Sequence, residues 1–294
     1  MKALRRRIFG GLAARPGAPG LALIAPGTLF LLAFFLIPLL LMLGYSLMPR
    51  GTYGGVELGF TLEHYRRFID PLYGTILART LAYSVVATAL CLLLGFPVAW
   101  VIANSRRWRN FLVFLVILPF WTSFLVRTFA MIFLMRDSGL INSALIALGL
   151  LDEPITMLYT PFAVMTGLVY GFLPFMVLPI YTSLEKLDPA LLEAAEVLGA
   201  RPVARFFRVI LPLAAPGMAA GCLLVFIPSL GSFLTSDLLG GAKQMMIGNL
   251  VQNQFMGARN WPFGSASSFI LMALVLLAVV AWLRTRDAAP GGAA

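Results

Sequence analysis

Apolar residues run through this chain in six long stretches separated by polar segments. Each is near or above the roughly 20 residues that a helix needs to cross a bilayer. The first is Leu21 to Leu43, with apolar continuation to Met48. The others run from about Thr80 to Ala103, Phe111 to Met135, Leu158 to Leu184, about Val209 to Leu234, and Ser265 to Leu283. The pattern predicts an all-α integral membrane protein with six transmembrane helices. Pro38, Pro97, Pro119, Pro174, Pro179, Pro216 and Pro228 fall inside these spans. Proline is tolerated there when neighbours or water satisfy the freed carbonyls. So many prolines fit helices kinked around a cavity, and equally fit ordinary packing kinks.

The expected organisation is a basic tail over residues 1–20, a membrane domain over 21–284, and a short tail over 285–294. Arg5, Arg6 and Arg7 precede the first apolar run. That run is longer than the apolar core of a signal peptide, so it reads as an uncleaved span.

Composition agrees with lipid as part of the solvent. The 294 residues are 60% hydrophobic and only 12% charged, where a soluble domain is typically about 25% charged. Mean hydropathy is +0.92. The net charge of +10 is spread between the spans, so it speaks for orientation rather than for nucleic acid. Cys91 and Cys222, the two cysteines, both lie in apolar runs and read as buried free thiols. With His64 as the single histidine, no metal constellation is expected.

Lys and Arg concentrate in cytoplasmic loops. One set of segments carries Lys2, Arg5, Arg6, Arg7 and Arg15, then Arg106, Arg107 and Arg109, then Lys186, Arg201, Arg205 and Arg208, and finally Arg284 and Arg286. The opposite set carries only Arg50, Arg66, Arg67, Arg79, Arg136, Lys243 and Arg259. Both termini and the loop 186–208 are therefore expected in the cytoplasm.

One charge falls well inside a span, Arg127. An intramembrane charge points to function by default. From the outer half of its span, a long side chain can also snorkel to the interface, and both readings stand. No acid lies mid-span, which disfavours a proton or sodium relay of paired carboxylates. Lys2, Lys186 and Lys243 are the only lysines. None sits in a phosphate-cradling Gly-x-x-x-x-Gly-Lys-Ser/Thr loop, so any ATP chemistry belongs to another subunit.

The loop 186–208 carries its own helix signals. Asp188 suits an N-cap and Pro189 the first helical position. Ala190 to Val197 favour helix, and Gly199 is the expected stop. At about 100° per residue, Leu191, Ala195 and Leu198 share one face, expected to lie against apolar surface. Glu193 and Glu196 share the other. Such a helix shows its acids either to a partner or to water.

Glu193-Ala194-Ala195, then Gly199, then Val209-Ile210-Leu211-Pro212 resemble the E-A-A-x3-G-x9-I-x-L-P signature of binding-protein-dependent ABC importer permeases. Val209 stands where the family usually has Ile. The resemblance implies a type I importer permease fold in a bacterial inner membrane. It implies that Glu193, Ala194, Ala195, Gly199, Leu211 and Pro212 form the coupling site for an ATP-binding subunit. It also implies a homologous second permease, two ATP-binding subunits, and a periplasmic or surface-tethered solute-binding protein. ATP and magnesium would be held by the partner and not by this chain.

From about Phe60 onward the likeness extends to the polyamine subgroup, the first permease subunits of spermidine/putrescine importers. It is carried by Leu118 to Thr128, Leu173 to Tyr181, Ser236 to Lys243 and Asn260 to Gly264. Related members often have Gly-Glu-Phe where this chain has Gly231-Ser232-Phe233. Another small solute, such as an amino-acid derivative, is thus the alternative cargo, and a secondary transporter or channel the alternative class. For an oligoammonium solute, Asp237 offers an anion, and Trp121, Trp261 and Phe263 offer π faces near Arg127 or the outer boundary. Interfacial aromatics and a loop-capping Asp explain the same residues without solute.

Overall fold

A computed structural model describes residues 18–287, and it is helical apart from one isolated antiparallel bridge between Arg50 and Val56. The helices are α1 (Ala18–Ser46), α2 (Glu63–Arg67), α3 (Pro71–Asn104), α4 (Arg109–Ile117), α5 (Phe124–Met135) and α6 (Leu140–Ala147). They continue as α7 (Pro161–Glu185), α8 (Pro189–Val197), α9 (Pro202–Arg205), α10 (Leu211–Leu230), α11 (Ile247–Met256) and α12 (Trp261–Asp287). Among the described residues, six helical stretches are long and apolar enough to span a membrane. The basic residues Lys2, Arg5, Arg6, Arg7 and Arg15 lie outside the described residues, as do residues 288–294.

Three spans agree with the expected segments to within a few residues; the fifth begins earlier than expected, at Pro202 rather than near Val209, and the second and third depart further. The second starts at Pro71 rather than near Thr80, because Asp70 caps it by accepting from the Leu72 amide at 2.9 Å. Its 34 residues reach about 50 Å, well beyond the roughly 30 Å hydrocarbon layer.

The third span is not the continuous helix Phe111 to Met135. It stops at Ile117, passes through a 3-10 turn over Leu118–Trp121 and an extended Thr122, and restarts as α5. Pro119 opens the turn. Its carbonyl then accepts from both the Thr122 amide (3.2 Å) and the Thr122 hydroxyl (2.8 Å), which ends the helical ladder. α5 and α6 together complete the crossing.

The core is a three-helix packing of α7 against α3 and α10. Lipid supplies no hydrophobic drive between helices, so close approach rests on small residues. A Cβ on Gly217 would run into the Pro179 carbonyl and Ser183, and one on Gly221 would meet Met176. Gly95 of α3 packs on Met176 from the other side. Cys91 is buried in this core, Cys222 is half-buried, and both are free. α1 packs chiefly on α12 and turns Phe30, Phe34 and Phe35 outward.

A second, smaller core holds Phe68, Tyr73, Ile76, Ile247, Leu250 and Phe263. It fastens α11 and the start of α12 to α3. The segment before α11 is tied down by polar bonds: Arg79 donates to the Lys243 carbonyl (2.7 Å), Tyr83 to Gln244 Oε1 (2.6 Å), and the Ile247 amide to Thr80 Oγ1 (2.9 Å).

Candidate functional site: the loop 186–208 and the aromatic surroundings of Arg127

The loop between α7 and α10 folds on its own bonds. Asp188 Oδ1 accepts from the Ala190 amide at 2.9 Å, and Pro189 takes the first helical position. At the other end the Gly199 amide bonds the Glu196 carbonyl (2.9 Å) and the Ala200 amide bonds the Ala195 carbonyl (3.0 Å). This paired closure needs a left-handed residue, and Gly199 supplies it with φ +78°. No atom lies within 4 Å of where its Cβ would stand, so the backbone angle rather than crowding demands glycine here. Pro202 then opens α9, which passes through a π-helical turn, Phe206–Ile210, into α10.

Leu192, Phe206 and Leu211 anchor this loop on the main core, with Phe206 edge-on to Phe96 at 5.4 Å. The apolar face expected from Leu191, Ala195 and Leu198 is not the one that packs. Leu198 is 86% exposed and Leu191 is also exposed, while Leu192 turns inward. The reason is that the helix ends at Val197 and the chain reverses at Gly199, which carries Leu198 outward. Val197 (88% exposed), Leu198 and Val203 thus form an apolar tip. Glu193 and Ala194 are exposed, Ala195 half-buried and Pro212 exposed. Glu196 bonds Arg205 at 3.0 Å across the turn.

Beside the loop, a cleft of about 300 Å³ is lined by Trp100, Arg106, Arg109, Glu185, Leu187 and Leu192, among others. Arg109 bridges Glu185 at 2.9 Å and donates to the Ala103 carbonyl at 3.1 Å. The start of α4, the end of α3 and the end of α7 are thereby joined next to α8. Sequence reasoning missed both ion pairs, since neither follows from spacing along one helix. It also missed the apolar tip.

The Arg127 side chain does not reach toward the Met135 end of α5. Its guanidinium lies 5.5 Å from the Phe124 ring centre, 5.8 Å from Phe120 and 5.9 Å from Tyr170. Phe124 and Phe120 precede it in the chain, so the side chain runs back toward the start of α5. Nε and Nη1 are enclosed and have no hydrogen-bond acceptor. No carboxylate pairs with it among the described residues. Phe124 reaches this place because Gly171 of α7 leaves room; a Cβ there would meet the ring at 2.8 Å.

The other expected site residues are dispersed. Trp121 is 73% exposed and edge-on to Phe114 at 5.4 Å. Asp237 is exposed in the π-helical turn Ser236–Gly240, where Asn249 Nδ2 stands 3.5 Å from its Oδ1. Buried Asn249 fixes that turn by also donating to the Phe233 carbonyl and accepting from the Met246 amide and Ser236 Oγ. Trp261 is exposed beside Tyr45. Phe263 cannot offer a free ring to a passing cation. It is 0% exposed, packed on Tyr73 at 5.0 Å, and already carries Arg67 at 5.0 Å. Its neighbour Trp261 begins α12, and the helix turns Phe263 toward α3 instead of outward.

Comparison with known proteins gives this geometry a setting. Residues 91–286 match the family described as the binding-protein-dependent transport system inner membrane component. This chain belongs to that family. It is a multi-pass inner-membrane permease, and such permeases work with a separate solute-binding protein and ATP-binding subunits.

The permease is 46% identical over 261 residues to the spermidine/putrescine transport system permease protein PotB of Escherichia coli, covering 87% of this chain and 94% of that protein. It is 46% identical to the protein of the same name from Haemophilus influenzae, covering 87% and 90%. It is 35% identical to the inner membrane ABC transporter permease protein YdcU of Escherichia coli, covering 74% and 73%. Among solved structures, a chain of a bacterial ABC transporter involved in the import of the acidic polysaccharide alginate superposes with a TM-score of 0.69 at 18% identity. That match covers 97% of this chain and 99% of the other. At that identity the likeness speaks for the fold alone, a type I importer permease.

Proposed function

We propose that this permease is one half of the membrane channel of a polyamine importer, paired with a homologous second permease and driven by two ATP-binding subunits. The observation that carries the reading is the loop 186–208. It is braced by its own hydrogen bonds, anchored by Leu192 and Phe206, and exposes Glu193 together with the tip Val197, Leu198 and Val203. A rigid exposed protrusion of this kind transmits force without absorbing it. The loop and both termini face the cytoplasm, consistent with the crowding of Arg and Lys on that side.

ATP and magnesium reside on the partner subunits. When these close on ATP they move α8, and the push passes through Leu192, Phe206 and the Arg109–Glu185 bridge into α3, α4, α7 and α10. The nucleotide-driven bias between inward and outward states must amount to several kcal/mol to shift their populations decisively. A solute-binding protein delivers cargo at the opposite face. The similarity to spermidine/putrescine permeases over most of both chains supports an oligoammonium cargo.

Glu193→Lys tests the coupling role. Membrane insertion stays intact, while uptake is lost and the ATP-binding subunits copurify poorly; normal uptake in this variant overturns the docking role. Uptake of labelled spermidine and putrescine by a deletion strain complemented with this permease tests the cargo. Transport of an amino-acid derivative with neither polyamine taken up would replace it.

A further inference from the structure

Among the described residues Arg127 is the one charge well inside a span, and its surroundings are unusual. Three ring faces stand 5.5–5.9 Å from the guanidinium, the distance range of cation–π contact. A structural arginine at this depth would be expected to find a carboxylate or carbonyl. Here two of its nitrogens find none. These surroundings therefore suit a cation better than they suit arginine's hydrogen-bonding geometry. Of the three rings, that of Tyr170 belongs to a residue 43% exposed in this chain.

Its position along α7 is informative. Gly167 packs against Leu239 and Thr235, at the turn that carries Asp237, and Gly171 packs against Phe124. These levels are four residues apart, about 6 Å along the helix. Counted from Pro161, the level of the turn that carries Asp237 thus comes one helical turn before the aromatic level.

We propose that Phe120, Phe124 and Tyr170 form an ammonium-binding station on the solute's route, with the Arg127 guanidinium as its resident occupant, displaced when a solute ammonium arrives. This rests on the oligoammonium reading of the cargo. A carboxylate at this depth would hold a polycation too firmly to release it. Conduction needs sites that bind strongly enough to admit an ion and weakly enough to let it go. Ring faces hold a cation only by the modest attraction of their quadrupoles, strongly enough to receive it and weakly enough to release it. While Arg127 is seated, the station is also closed to small cations.

The test uses the complete transporter in proteoliposomes with saturating spermidine-loaded binding protein. Tyr170→Leu and Phe124→Leu keep apolar volume and remove a π face. Each lowers spermidine imported per ATP hydrolysed by about fivefold, whereas Tyr170→Phe, which keeps the face, loses less than about twofold. Arg127→Met removes the resident cation and raises ATP-independent efflux of preloaded spermidine. Copurification with the ATP-binding subunits checks that each variant assembles. Three results overturn the station: Tyr170→Leu importing at the wild-type ratio, Tyr170→Phe falling as far as Tyr170→Leu, or Arg127→Met leaving efflux unchanged in an assembled complex. If the unaltered transporter imports no oligoamine, both the cargo and the station fall. If it does and the ring variants are indifferent, only the station falls.

Discussion

In the loop 186–208 almost every constraint comes from residues within ten positions of one another. Asp188 caps Ala190, Gly199 and Ala200 close on Glu196 and Ala195, and Arg205 reaches Glu196. The surroundings of Arg127 are gathered instead from three elements, the turn at Phe120, the helix at Phe124 and Tyr170 of α7. One region is built by local hydrogen bonds and displays its charges to the outside. The other is built by helix packing and holds a charge with no partner. The proposed mechanism uses both: a stiff lever that keeps its shape while pushed, and an interior contact loose enough to exchange its occupant.

The largest expected effect separates them. Gly171→Val places an isopropyl group against Phe124, and overpacking of this kind costs about 1–3 kcal/mol. α5 moves away from α7 and the rings around Arg127 separate, so uptake falls at least tenfold. The loop, which shares no bond with that contact, still recruits the ATP-binding subunits in a pull-down. Loss of both functions together would show that the two regions are not mechanically independent.

Their different construction also decides what was legible in the sequence. Asp188-Pro189 and Gly199 announce a cap and a stop because each acts on its own neighbours, and both stand where the pattern put them. Six spans follow from apolar length alone. The break at Pro119 was obscured because Phe111 to Met135 is apolar on both sides of it, and hydropathy cannot distinguish a crossing helix from two pieces in series. Arg127 was visible as a charge in a span, but its cage depends on Gly171 admitting Phe124, a contact 47 positions apart. Phe263 failed as an outward ring because burial on α3 is a tertiary outcome. The inward turn of Leu192 in place of Leu198 reflects a helix too short for its periodicity to be averaged.

A smaller effect sharpens the lever side. Gly199→Ala forces a side-chain-bearing residue into the left-handed region at a cost of about 1 kcal/mol. The amides of Gly199 and Ala200, whose bonds close the turn, then exchange with solvent about fivefold faster. Asn at this position tolerates the angle and recovers part of the loss. Removing the cap with Asp188→Ala costs a comparable amount, about 1 kcal/mol. It acts at the opposite end, on the exchange of the Ala190 amide, and Asp188→Ser largely preserves it. Uptake declines in both variants, although the rings around Arg127 are untouched.

The smallest effect concerns the pair Glu196–Arg205, whose side chains are 73% and 30% exposed. An ion pair so open to water contributes about 0.5 kcal/mol or less, and salt weakens it further. Glu196→Gln therefore disturbs the turn less than Gly199→Ala does, since the backbone bonds at Gly199 and Ala200 persist without it. The charge-reversed double variant Glu196→Arg with Arg205→Glu returns amide exchange in the loop to near its original rate at low salt. Uptake need not follow, because reversal also changes the sign of the surface proposed to meet the ATP-binding subunit. Recovery of exchange without recovery of uptake assigns Glu196 to the docking surface as well as to the turn. Recovery of both confines it to the turn and leaves Glu193 as the acid that docks.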